Sequence, residues 1–229
     1  MLRRIKNAIK YRWLRDPSIR SDVFGRPYMA DLAVRFAKMN RVDGSYLEFG
    51  TYRGSTFSYF YHLFKRYHMA VHVYAFDSFE GLPQPSGLDN VPGYDEQFSA
   101  GEFGCSEEEF IDRLSANGVR SSAHTIVRGY FNESLTPELY SNLNLTKAAI
   151  VWIDCDLYES TKPVLRFIRP ILHDGTLLIF DDYYCFKGNP KFGERRAFEE
   201  FAATNPHVGF TEYARFGSGG LAVIVHLFH

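Results

Sequence analysis

The sequence predicts an α/β fold built around a mostly parallel β-sheet, with helices on both faces. From residue 45 onwards, short apolar runs alternate with segments of helix length, which is the pattern of βαβ units. Near the C-terminus, two apolar runs are joined by a Gly-rich turn at residues 216–220, which indicates a closing hairpin. At 229 residues, the chain has the length of one domain.

Residues 1–44 are expected to form a helical segment ahead of the main domain at residues 45–229. Within residues 1–16, apolar side chains recur at helical spacing and basic residues lie largely on other faces, which predicts an amphipathic helix. We expect this helix to pack on the domain or on a second subunit, and contact with an anionic membrane surface is the alternative. A second helix is predicted over residues 28–39.

Strands and helices then alternate through the main domain. Apolar residues at helical intervals predict a helix at residues 160–172, and Gly175 marks its end. Further helices are predicted at residues 55–67, 106–117 and 193–203. The apolar runs give predicted strands at residues 46–49, 71–76, 125–128, 148–153, 176–180, 211–215 and 221–228.

Residues 81–104 form a long connection that is rich in Gly and Pro and has little periodicity. Loops of this length are usually functional or disordered. Together with the first forty residues, this loop is expected to cover a bound acceptor.

Composition and charge exclude several classes of function. A net charge of -1 provides no general attraction to nucleic acid, so no nucleic-acid partner is expected. The sequence has neither an apolar run of membrane-spanning length nor the pattern of a signal peptide, so we expect a cytoplasmic protein without an integral membrane segment. Three cysteines without paired spacing indicate neither structural zinc nor a disulfide framework.

The turn after the first predicted strand, in YLEFGTYRGST, has the features of a ligand-binding turn. Gly50 and Gly54 allow a ligand to approach the backbone, and the following helix supplies free N–H groups. A pyrophosphate would favour the spacing G-x-G-x-x-G. Glu48, two residues before Gly50, is badly placed beside phosphates and suits a cofactor that carries an ammonium group.

Asp77 ends the next predicted strand. An acid at this position of a doubly wound sheet can accept hydrogen bonds from ribose hydroxyls. The same geometry would suit a nicotinamide dinucleotide, so an NAD-dependent dehydrogenase is a distant alternative. Thermal-shift measurements with the two cofactor classes would separate them.

Two pairs of acids follow two apolar strands. Asp154 and Asp156 come after residues 148–153, and Asp181 and Asp182 come after residues 176–180. If these strands are parallel neighbours, four carboxylates meet at one sheet edge and repel one another unless a cation lies among them. A hard divalent cation such as Mg²⁺ binds oxygen ligands and lowers the pKa of a bound hydroxyl. The alternative is that one acid of each pair is a helix N-cap.

In order, the segments EFGTYRGST, FDSFEGLP, GYFNESL, IDCDLYEST and FDDYY resemble the macrocin O-methyltransferase family of class I S-adenosylmethionine-dependent methyltransferases. IDCDLYEST followed by FDDYY is the most specific part. The resemblance implies a single-domain Rossmann-like fold, with a seven-stranded sheet ending in an antiparallel hairpin. It also implies S-adenosylmethionine, Mg²⁺, a homo-oligomer, and methylation of a hydroxyl on a sugar, a glycosylated natural product or a polysaccharide precursor.

The resemblance further implies roles for individual residues. The methionine part of the cofactor would lie among Glu48, Gly50, Thr51, Tyr52, Gly54, Ser55 and Thr56. Asp77 would bind the ribose, and Ser78, Phe79, Gly129, Tyr130 and Phe131 would lie near the ribose or adenine. The metal would be held by Asp154, Asp181 and Asp182, with Asp154 also beside the cofactor and acting as general base.

A related catechol-type methyltransferase carries a lysine three residues after its first metal aspartate. Leu157 occupies that position here, so deprotonation by a carboxylate or a metal hydroxide is expected instead. Two alternatives to a sugar methyltransferase remain. One is a catechol or phenol O-methyltransferase, and the other is a non-catalytic cofactor-binding scaffold, against which the cluster of acids argues.

Overall fold

The computed structural model describes residues 25–90 and 98–228. The amphipathic helix predicted over residues 1–16 lies outside the described residues, as does the part of the predicted acceptor loop at residues 91–97. The first described element is helix α1 (Arg26–Asn40), close to the second predicted helix. None of the helices in these two ranges is long and apolar enough to cross a membrane.

The described residues contain a seven-stranded sheet in the order β3-β2-β1-β4-β5-β7-β6. Strands β1 to β5 are parallel, whereas β7 runs antiparallel to both β5 and β6. This topology confirms the mostly parallel sheet that ends in an antiparallel hairpin. The strands are β1 (Ser45–Phe49), β2 (Val73–Asp77), β3 (His124–Arg128), β4 (Ala148–Ile153), β5 (Leu177–Phe180), β6 (Val208–Phe216) and β7 (Gly220–Leu227).

Helices connect the parallel strands. They are α2 (Ser55–Arg66), α3 (Glu107–Ala116), α4 (Phe131–Ser134), α5 (Pro137–Asn142), α6 (Tyr158–Ile168) and α7 (Gly193–Thr204). The sequence did not predict α4 and α5, because helices of four and six residues are too short to show a period. The predicted helix over residues 160–172 instead begins at Tyr158 and gives way to a 3₁₀ turn at Arg169–Ile171, which contains Pro170.

Apolar side chains cover both faces of the sheet. Along β4, which is buried throughout, Ile150 and Trp152 join one core cluster, and Val151 and Ile153 join the other. The first cluster includes residues of α1, α2 and α3, and the second includes residues of α6 and α7. The prediction of helices on both faces is therefore confirmed, and α1 shares a core with the main domain.

The carboxyl ends of the central parallel strands lie at one edge of the sheet. The backbone N–H of Asp154 donates to Phe49 O, and that of Asp181 donates to Ile153 O, each at 2.9 Å. The residues that follow β1, β4 and β5 are thereby held side by side. Parallel sheets bind ligands at this edge.

Candidate active site

A cavity of about 490 Å³, here called the main cavity, opens at the carboxyl edge of the sheet. Its volume is typical of a small-molecule site. The predicted site residues that line it are Gly50, Tyr52, Asp77, Ser78, Gly129, Tyr130, Phe131, Asp154 and Asp182. Of the other predicted residues, those absent from its lining are Glu48, Thr51, Gly54, Ser55, Thr56, Phe79 and Asp181.

The turn after β1 requires glycine at Gly50. Its φ is +83°, a left-handed conformation, and a Cβ built there would lie 1.9 Å from the carbonyl oxygen of Asp154. No side chain fits in that space. The glycine therefore allows the turn after β1 to pack directly on the backbone of Asp154.

Asp77 holds this same turn. One carboxylate oxygen accepts hydrogen bonds from the backbone N–H groups of Thr51 at 2.7 Å and Tyr52 at 3.0 Å, and the other accepts from Phe79 N–H at 2.8 Å. A carboxylate has about four lone-pair sites, so the second oxygen keeps capacity for one more donor. The structure thus gives Asp77 a positioning role, and its contact with a ribose stays a prediction.

Glu48 lies behind the turn in a fully buried position. It accepts a hydrogen bond from the hydroxyl of Tyr46. Burial raises the pKa of Glu48 to about 8, although the hydrogen bond from Tyr46 opposes this shift. The raised pKa favours the neutral form of Glu48, and a nearby cationic group would favour its ionised form.

Three acids meet at the ends of β4 and β5. Asp154, Asp156 and Asp182 each place a carboxylate oxygen within 4.8 Å of the others. Burial raises the pKa of Asp154 and of Asp156 well above the ordinary range, and the neighbouring carboxylates raise both further. An all-oxygen donor set of this kind fits a hard divalent cation, which would offset the repulsion.

Asp181 lies outside this trio. Its carboxylate accepts a hydrogen bond from Arg26 Nε at 2.9 Å, and Arg26 also forms an ion pair with Asp154 at 3.0 Å. The cluster therefore differs from the predicted ligand set of Asp154, Asp181 and Asp182, because Asp156 replaces Asp181. Asp156 has a left-handed φ of +58°, and the backbone N–H of Leu157 donates to Cys155 O across it.

Arg26 is a site residue that sequence reasoning missed. It is the only basic residue among the described residues that line the main cavity. Burial alone would lower the pKa of Arg26, but the charges of Asp154 and Asp181 raise it above its usual value. No local pattern marks this arginine, since its partners lie more than a hundred residues away in the chain.

Glu194 is the second missed residue. Its two carboxylate oxygens accept the backbone N–H groups of Cys155 at 2.9 Å and of Asp182 at 3.0 Å. The side chain has 0% exposure. Glu194, in the first turn of α7, thus joins the loop after β4 to the loop after β5.

Part of the predicted acceptor loop is anchored to α6. Asp89 accepts the backbone N–H groups of Tyr158 at 2.7 Å and Glu159 at 2.9 Å, which caps the helix start. The loop residues Gly81, Leu82, Pro83, Gln84, Ser86 and Asp89 also line the main cavity. This section of the loop is a fixed wall of the site in the structure.

Comparison with known proteins connects this geometry to a family. The family model described as Macrocin-O-methyltransferase (TylF) matches residues 8–206. The chain belongs to the macrocin O-methyltransferase family. This match confirms the resemblance that the segments between residues 46 and 197 indicated.

One relative of this macrocin-family chain is the 8-demethyl-8-(2,3-dimethoxy-alpha-L-rhamnosyl)-tetracenomycin-C 4'-O-methyltransferase of Streptomyces olivaceus. The two sequences are 29% identical over 175 residues, which cover 73% of this chain. The chain spans 64% of the length of that relative.

Solved structures agree with the fold. The O-methyltransferase NovP matches with a TM-score of 0.70 and 22% identity, covering 86% of this chain and 78% of NovP. The calicheamicin methyltransferase CalS11 matches with a TM-score of 0.70 and 24% identity, covering 91% of this chain and 80% of CalS11. These similarities confirm the Rossmann-like architecture of the macrocin-family chain.

Proposed function

We propose that the chain is an S-adenosylmethionine- and divalent-metal-dependent O-methyltransferase. Its acceptor would be a hydroxyl of a sugar, a glycosylated natural product or a polysaccharide precursor. The observation that carries the proposal is one cavity, which joins the Gly50 turn and Asp77 to the acids Asp154, Asp156 and Asp182. Family membership supports methyl transfer, and the rhamnosyl group in the name of the Streptomyces olivaceus relative supports a sugar acceptor.

The described residues divide into a cofactor part and a chemical part. The turn at Gly50 would bind the methionine moiety, Asp77 the ribose, and the segment after β3 the adenine. S-adenosylmethionine supplies an electrophilic methyl group on a positively charged sulfur, and a divalent cation lowers the pKa of a nearby hydroxyl. We propose that Asp154 and Asp182 belong to the metal site, with either Asp156 or Asp181 as a third acid.

Asp154 is the proposed general base. Asp154 would take the hydroxyl proton as the acceptor oxygen bonds to the methyl carbon and the carbon–sulfur bond breaks, with its electron pair going to sulfur. Leu157, which lines the cavity at 1% exposure, brings no amine to this position. The main contribution of the chain is then to align the reacting groups and to exclude water.

The test is a transfer assay with S-adenosylmethionine labelled in its methyl group. Methyl α-L-rhamnopyranoside, TDP-rhamnose and catechol are compared as acceptors, with Mg²⁺ or with EDTA. We expect transfer to a sugar that requires Mg²⁺, and loss of transfer in Asp154→Asn. The control Asp112→Asn changes an exposed aspartate on α3 and should retain activity.

Each alternative has its own outcome in this assay. Full transfer in EDTA would refute the metal requirement, and transfer to catechol alone would select the phenol-type enzyme. Binding of S-adenosylhomocysteine without transfer to any acceptor would favour the non-catalytic scaffold.

A homo-oligomer and a cytoplasmic location also remain part of the proposal. Light scattering coupled to size-exclusion chromatography measures the oligomeric state. A single-subunit mass across the micromolar range would contradict it.

A further inference from the structure

Two aromatic rings meet at the rim of the main cavity. Tyr52 comes from the turn after β1, and Phe103 comes from the end of the connection between β2 and α3. Their ring centroids are 6.0 Å apart and their planes are inclined by 78°, so one ring points its edge at the face of the other. Both rings line the cavity, yet Tyr52 is 37% and Phe103 is 46% exposed. The pair therefore leaves apolar surface uncovered beside a ligand-binding space.

Tyr52 is held in a conformation that few residues adopt. Its φ is +45°, and non-glycine residues keep such a backbone only where surrounding contacts stabilise it. Here the carboxylate of Asp77 accepts the backbone N–H of Tyr52 at 3.0 Å. The guanidinium carbon of Arg53 lies 5.0 Å from the centroid of the Tyr52 ring. The backbone and the ring of Tyr52 thus each have a partner besides Phe103.

Phe103 also has a left-handed backbone, with a φ of +58°. The residues before it pair with the segment that follows β2, because Leu82 N–H donates to Glu102 O and Gly101 N–H donates to Leu82 O, each at 2.9 Å. A Cβ built on Gly81 would lie 2.5 Å from Gly101 O, so the two backbones are in close contact. Phe103 is therefore joined to the wall of the cavity that follows β2.

We propose that Phe103 is a positioning residue of the cofactor site, which holds the ring of Tyr52 beside the bound cofactor and slows the dissociation of that cofactor. This inference rests on the cofactor part of the proposed function. The turn that carries Tyr52 is assigned there to the methionine moiety, and Asp77, at the end of β2, to the ribose. Because Phe103 connects these two walls, a cofactor that contacts both walls lies beside the ring pair and covers part of its apolar surface.

The contact between the rings indicates the size of the effect. An edge-to-face pair is stabilising beyond the area that it buries, and its loss corresponds to a change of about two- to tenfold in an equilibrium constant. Changes of affinity within one binding site arise mainly from the dissociation rate. Without the ring of Phe103, Tyr52 loses one of the contacts that orient its side chain, and the cofactor should leave faster.

The experiment is a double-mutant cycle on the full chain with S-adenosylhomocysteine as the ligand. Calorimetry gives its dissociation constant, and stopped-flow displacement gives its dissociation rate, for the wild type, Phe103→Ala, Tyr52→Ala and the double variant. We expect Phe103→Ala to raise both quantities about fivefold in the wild-type background and less than about twofold in the Tyr52→Ala background. In the second background no ring remains for Phe103 to hold.

Two further variants separate the ring contact from other effects. Phe103→Tyr keeps an aromatic ring and should bind like the wild type. The control Tyr59→Ala removes an equally exposed ring from α2 that does not line the main cavity, and it should also bind like the wild type. Melting temperatures show whether any variant changes the fold.

Four results would overturn the inference while leaving the proposed function in place. They are an equal effect of Phe103→Ala in both backgrounds, no effect in either, weak binding by Phe103→Tyr, and a lower melting temperature of Phe103→Ala without faster dissociation. A wild type that does not bind S-adenosylhomocysteine would instead contradict the proposed cofactor, and this inference with it.

Discussion

Glu194→Gln tests whether one buried carboxyl holds both acid-bearing loops. The wild-type side chain accepts two backbone N–H groups, from Cys155 and Asp182. Glutamine has nearly the same shape but only one acceptor oxygen, so one buried N–H loses its partner. Burial raises the pKa of Glu194 well above its ordinary value, whereas the two backbone N–H donors lower it.

The expected effect follows from the lost acceptor. An unsatisfied buried N–H costs about 1–3 kcal/mol. In a domain of this size each kcal/mol lowers the melting temperature by about 2–4 °C, so the expected decrease is roughly 2–12 °C. Mn²⁺ binding, followed by electron paramagnetic resonance, should also weaken, because the backbone of Asp182 is no longer fixed.

Glu199→Gln is the matched control for this prediction. Glu199 lies on the same helix, is exposed, and pairs with Arg195 on the surface. Exposed pairs are worth about 0–1 kcal/mol, so a small shift is expected. Equal melting temperatures for the two variants would refute the reasoning, and a lower melting temperature with unchanged Mn²⁺ affinity would limit Glu194 to a structural role.

Three further predictions concern the turn and the acids. The pKa of Glu48 is about 8 in the folded chain and about 4.3 in an unfolded one. At pH values between these two, the folded chain therefore binds more protons than the unfolded chain. The stability of the wild type relative to Glu48→Gln should therefore fall between pH 5 and 8, by at most about 1.4 kcal/mol per pH unit, and level off above pH 8; a constant difference in urea unfolding would contradict this. Arg26→Gln should tighten Mn²⁺ binding by up to about fivefold, since a half-exposed ion pair is worth up to about 1 kcal/mol, and weaker binding would show that Arg26 orients the acids instead. Gly50→Ala should abolish binding of S-adenosylhomocysteine, as measured by calorimetry, because its Cβ would collide with Asp154 O. Gly217→Ala, also at positive φ but with open space around its Cβ, is the control that should bind normally.

The sequence predicts the sheet well because its signals are local. Apolar runs and helical periods mark each strand and each long helix, and the two acid pairs meet because β4 and β5 are neighbours. The Gly-rich turn at residues 216–220 predicts the final hairpin, and the family resemblance implies the number of strands. The order of the strands is a finding of the structure alone. The predicted strand at residues 211–215 begins three residues after the start of β6, since Val208 and the two residues after it carry no alternating pattern.

The site is less predictable because its contacts connect distant parts of the chain. Arg26 reaches Asp181 across 155 positions, Glu194 reaches Cys155 across 39, and Asp89 reaches Tyr158 across 69. Such pairs depend on how helices pack on the sheet, and no spacing in the sequence encodes them. The sequence does not predict that Asp156 joins Asp154 and Asp182, for the same reason. Asp181 is bound instead by Arg26, which comes from a distant part of the chain.

The position of β7 has a consequence for synthesis of the protein. This strand lies between β5 and β6, although it follows both in the sequence. While the chain is being made, β5 therefore has a neighbour only on its β4 side until residues 220–227 have left the ribosome. The strand that leads to Asp181 and Asp182 thus remains an open sheet edge while residues 181–219 are added, and the nascent protein is exposed to mispairing during that interval.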